Sequence, residues 1–68
     1  MSLFYPVKRK VIVNTKTGKA FKGILWRRAF GYVLLKNTQA LKGGGETVAV
    51  DGEVFVYKRD VDFIQVLP

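Results

Sequence analysis

The chain contains no cysteine and no histidine. The missing cysteines exclude disulfide staples and thiol nucleophiles. The two absences together exclude thiolate–imidazole zinc sites and acid–base chemistry by imidazole. The one serine, Ser2, stands near the terminus, and no convergent pair of carboxylates is legible. A non-enzymatic protein with no cofactor and no bound metal is therefore expected. Asp60 and Asp62 alternate along a strand-like segment, but a hard cation takes more oxygen ligands than two carboxylates supply. Acid is absent from the first 45 residues, and all five acids (Glu46, Asp51, Glu53, Asp60, Asp62) follow. No apolar run approaches the roughly 20 residues of a membrane span. Met1 to Val7 has no basic region leading into an apolar stretch, so the expectation is a soluble cytoplasmic protein with no membrane partner.

What is present is 68 residues, 49% of them apolar. That is enough for one small globular domain spanning residues 1–68 and too apolar for a disordered chain. Such a domain buries only about 60% of its unfolded surface, so association between copies is a natural source of further stability. Twelve basic residues against five acidic ones give a net charge of +7. A field of that sign attracts polyanions, nucleic acid first among them.

The apolar pattern is that of strands. Lys10 to Thr15 places Val11 and Val13 on one face and Ile12 on the other, with β-branched residues suited to a pleated surface. Thr17-Gly18 marks a turn. In Ala20 to Arg28, Phe21, Gly23 and Leu25 share one face, while Ile24 and Trp26 lie on the other. A glycine inside a strand signals a sharp bend or a close backbone approach. Ala29-Phe30-Gly31 is a second turn, and Tyr32 to Asn37 a third strand. The three consecutive glycines of Gln39 to Gly45 predict a flexible tip. Glu46–Val50 and Glu53–Arg59 are strand-like and separated by Asp51-Gly52, a strong type I′ turn signal. Val61 to Leu67 closes the chain. No segment has useful helical periodicity, and Met1 to Val7 is too short for a stable helix alone. The expected fold is all-β: a small, strongly bent, five-stranded SH3-like barrel with a short N-terminal arm (1–8) and a variable loop or hairpin extension at 39–53. Its open edges need covering, and another copy of the chain is the natural cover.

At Gly18-Lys19-Ala20-Phe21-Lys22-Gly23-Ile24-Leu25 the chain resembles the first signature of the Sm-like family (Sm, Lsm and Hfq proteins). There, a turn glycine is followed five residues later by the bend glycine, with apolar residues two before and two after it. Leu34-Leu35-Lys36-Asn37-Thr38 is similar to the end of the third strand in the Hfq branch, and Val56-Tyr57-Lys58-Arg59 to its second signature. The resemblance covers residues 11–38 and 54–67. It implies a homo-oligomeric ring, most often of six or seven subunits, closed by backbone pairing between edge strands. It also implies single-stranded RNA held at pore-facing loops. Those loops fall here on Phe30, Gly31 and Tyr32 and on Tyr57, Lys58 and Arg59. Some family positions differ: Ala29 replaces the loop aspartate, Tyr32 or Val33 the uridine-contacting asparagine, Gly31 the stacking aromatic, and Asn14 the tyrosine of the opposite face.

Apart from any family, single-strand binding needs aromatic faces beside cations that follow the phosphates, and these six residues supply both. Lys8, Arg9, Lys10, Arg27 and Arg28 form a possible basic rim. The exposed pair Ile24 and Trp26 either forms a second binding surface or is covered by Phe4 and Tyr5 of the arm. Two alternatives run beside the RNA-binding ring. One is a structural or assembly component, phage-type or another protein–protein scaffold, that contacts a protein partner through 39–53. The other is a monomeric SH3-like module.

Overall fold

The computed structural model describes residues 7–68. Of the expected arm only Val7 and Lys8 lie among them; the packing of Phe4 and Tyr5 over Trp26 falls outside the described residues. The chain forms β1 (Arg9–Thr15), β2 (Ala20–Ala29), β3 (Tyr32–Leu41), β4 (Thr47–Val50), β5 (Val54–Tyr57) and β6 (Val61–Val66), with short 3-10 turns at Gly43–Gly45 and Lys58–Asp60. The strands lie in one antiparallel sheet ordered β4-β3-β2-β1-β6, with β5 also paired to β3. No helix among the described residues is long and apolar enough to cross a membrane.

Residues directly opposite in an antiparallel ladder share a face. Val11 faces Gly23, Val13 faces Phe21 and Ile64, and Leu25 faces Leu35. This is the inner face that the alternation of β1 and β2 predicts. Val11, Val13, Leu25, Val33, Leu35 and Val56 form the core, with Phe21, Val54, Val61 and Ile64 packed against it.

The sheet covers its own core because it is creased. Lys22 pairs with Gln39 but Ile24 pairs with Lys36, so Asn37 and Thr38 together oppose Gly23. Asn37 is held at φ +52°. On the other side of β3, Thr38 pairs with Val50 and Leu35 with Val54, so three residues, Asp51 to Glu53, oppose two. Gly52 there has φ +82°. Extra residues of this kind bend a strand and sharpen its twist, and they line up across β2, β3 and the β4–β5 junction. Gly23 is required at the crease. A Cβ on it would stand 3.0 Å from the Lys36 carbonyl oxygen and 3.0 Å from Thr38 Oγ1. Gly23→Ala is expected to destabilise the fold by about 1–3 kcal/mol through overpacking, read as a lower midpoint in thermal melting.

Thr38 is 2% exposed, and its Oγ1 has no hydrogen-bond partner among the described residues. An unpaired buried hydroxyl costs about 1–3 kcal/mol. Thr38→Val, which keeps the branched shape, is therefore expected to raise the melting midpoint.

Three sequence expectations are corrected. The barrel has six strands rather than five: each of the six strand-like segments forms its own strand, and the two on either side of Asp51-Gly52 both pair with β3. Asp51-Gly52 is not a type I′ reversal: β4 and β5 both run antiparallel to β3 and in the same direction. The dipeptide's tolerance of positive φ serves a bulge instead. The flexible tip predicted over Gln39–Gly45 is shorter, since β3 continues to Leu41 and pairs with Thr47. The Lys42 N–H donates to the Glu46 carbonyl at 2.8 Å and closes the remaining glycine turn.

The crease leaves two borders. Among the described residues β5 pairs only with β3, and β6 only with β1. β6 is fastened along β1 at both ends, where the Leu67 N–H donates to Lys10 and the Lys16 N–H to the Asp60 carbonyl, each at 2.9 Å. These two strands carry Phe55, 60% exposed, and Phe63, 55% exposed. Unpaired backbone flanked by exposed aromatics is a template for pairing with another strand.

Candidate nucleic-acid interface

β2 and β3 are joined by the two-residue loop Phe30-Gly31, since Ala29 pairs with Tyr32. Gly31 adopts φ +97°, a conformation that glycine reaches without steric cost. Phe30 is thrust fully into solvent at the apex. The second segment arrives through β5: Tyr57 lies directly opposite Tyr32, after which the chain turns at Lys58–Asp60. The Lys58 N–H donates to the Gly31 carbonyl at 2.9 Å and ties the two loops together.

The fold thus gathers all six loop residues singled out in the sequence. Phe30, Gly31, Tyr32, Tyr57, Lys58 and Arg59 line a shallow concavity of about 340 Å³. Within it, the Arg59 guanidinium lies 5.2 Å from the centre of the Tyr57 ring. Tyr32 is braced by Phe55, with ring centres 4.9 Å apart and planes at 49°. Of the three aromatics that line the concavity, Phe30 and Tyr57 are exposed and Tyr32 is half-buried. Aromatic faces beside two cationic groups suit a stacked base and its phosphate.

The five rim residues do not form one row. Arg9 Nη2 donates to the Leu67 carbonyl at 3.1 Å, anchoring the end of the chain. Arg27 and Arg28 lie on β2 opposite Leu34 and Val33, on alternate faces of the sheet. Lys10 lines a second concavity of about 300 Å³ on the outer face, with Lys22, Gly23, Ile24, Asn37 and Gln39. Lys8 stands 5.3 Å from the centre of the Trp26 ring. Lys36, which sequence reasoning did not single out, lies 4.4 Å from the same ring and pairs with Glu53 at 3.4 Å. The alternation of Ile24 and Trp26 was the available signal for this outer surface, but it did not identify the lysines.

Among the described residues, no three acidic side chains come together to hold a metal ion. No family model and no curated protein matches the chain. Among solved structures, it is similar to a heptameric archaeal Sm protein, described for its implications for the eukaryotic snRNP core. The TM-score is 0.81 at 22% sequence identity, over 91% of this chain and 90% of that one.

Proposed function

On the Sm fold that this chain adopts, we propose that it assembles edge to edge into a ring of six or seven copies and binds single-stranded RNA at the Phe30–Arg59 concavity, without catalysing a reaction. The observation that carries this reading is the convergence of two distant loops, one aromatic and one aromatic and basic, joined by the Lys58–Gly31 hydrogen bond. Among the described residues β5 pairs only with β3 and β6 only with β1, so each offers a strand edge to a neighbouring copy. A head-to-tail contact whose rotation closes gives a ring rather than a fibre. Each copy brings a charge of +7, which focuses the field at a shared opening. The reading places the protein in the cytoplasm with its RNA.

Fluorescence anisotropy with short oligouridylate and oligoadenylate across a salt series tests it. Binding is expected to weaken steeply as salt rises, because phosphate contacts release counterions. Absence of binding by both oligomers at about 50 mM salt, where such contacts are strong, contradicts it.

A second reading has its own observation. The β3–β4 hairpin exposes Val48, 48% accessible, beside the glycine tip, a surface suited to a protein partner in a structural assembly. Under that reading the loop cations are dispensable for binding, and substitutions at Val48 are not.

A further inference from the structure

Trp26 interrupts the β2–β3 ladder. Leu25 pairs with Leu35 and Arg27 with Leu34, so Trp26 is the extra residue of a bulge. Bulges re-aim a side chain, and this indole is 40% exposed on a surface surrounded by cations. Lys8 and Lys36 lie 5.3 and 4.4 Å from its ring centre. The two lysines are not equivalent. Lys36 is held by Glu53 at 3.4 Å, whereas no carboxylate among the described residues pairs with Lys8. The backbone of Lys8 is fixed: its N–H donates to the Leu25 carbonyl, and it adopts φ +61°, a conformation that costs a side-chain-bearing residue free energy. A backbone in the left-handed conformation therefore holds this ammonium over a partly exposed indole.

A cationic ligand is disfavoured here by two ammonium groups, and an apolar peptide would bury the Lys8 ammonium without a carboxylate partner. A base with its phosphate satisfies all three groups. We propose that Trp26, Lys8 and Lys36 form a nucleotide-stacking site on the outer surface, apart from the Phe30–Arg59 concavity. A base takes the indole face that Lys8 covers, and the displaced ammonium pairs with the phosphate. Base stacking is worth more than an exposed ammonium–ring contact, so the exchange is favourable. The ligand class rests on the RNA reading above; the site itself rests on Trp26.

Trp26 is the chain's one tryptophan, so its emission reports this site alone. Titration with the two oligonucleotides is expected to quench that emission saturably, over the concentrations at which anisotropy rises. Trp26→Ala is expected to weaken affinity roughly fivefold or more, as the loss of one stacked base implies. Trp26→Phe, which keeps a ring, is expected to retain most of it. Lys8→Ala is expected to leave stacking in place and flatten the salt dependence by about 0.7 for each phosphate that the ammonium no longer neutralises. Thermal melting of each variant identifies any loss of fold. Binding by anisotropy with unchanged Trp26 emission, or a folded Trp26→Ala with wild-type affinity, overturns this site while leaving the concavity intact. Absence of binding in anisotropy overturns the RNA reading, and this site with it.

Discussion

Replacing Lys58 and Arg59 together by alanine is expected to lower affinity for single-stranded RNA about a hundredfold at moderate salt, and to flatten the salt dependence by about 0.7 for each phosphate left without its cation along the bound strand. The size of the effect follows from repetition: in a ring, one pair of substitutions strips the same two cations from every copy around the opening. The fold is expected to survive. The tie between the loops runs through the Lys58 backbone N–H, which alanine keeps. The Arg59–Tyr57 contact is at the surface and worth about 0.5–1 kcal/mol. Anisotropy across a salt series, with circular dichroism as the control, reads both quantities. Unchanged affinity in the double variant would favour the structural-scaffold reading.

The second large effect is on assembly. Phe63→Lys is expected to release protomers of 7.7 kDa from the proposed ring. Phe63 lies on β6, opposite Asn14, on the face of the sheet away from the core. Its replacement should change the stability of one protomer by no more than about 0.5 kcal/mol, as for other surface positions. In the proposed ring the same lysine would introduce an unpaired charge and remove an aromatic side chain at every interface, because a head-to-tail ring repeats one interface throughout. RNA affinity is expected to fall with it, since linked sites lose their effective concentration once separated. Light scattering at micromolar concentration gives the mass, and anisotropy gives the affinity.

Much of this was legible before the structure. Val11 and Val13 declare their inner face by strict alternation, and both are fully buried. Gly23 announces a close approach that the Lys36 and Thr38 distances confirm. The six loop residues lie in two segments far apart in sequence, and the resemblance paired them before the geometry did. What stayed hidden depends on register. Asp51-Gly52 prefers the left-handed conformation, and such a dipeptide serves a hairpin or a bulge equally well; only the pairing of both neighbouring strands with β3 decides between them. Gln39 to Leu41 is indistinct as a strand until Thr47 to Ala49 lies beside it. Trp26 alternates with Ile24 as though regularly placed, and nothing local shows that a bulge turns it toward Lys8 and Lys36.

The measurement that bears most directly on the account is the native mass of the protein, alone and with a short oligonucleotide. One closed species of about 46 to 54 kDa is expected, six or seven copies of the 7.7 kDa chain, that takes up RNA without changing its number of subunits. A stable species of 7.7 kDa that stays single with or without RNA contradicts it.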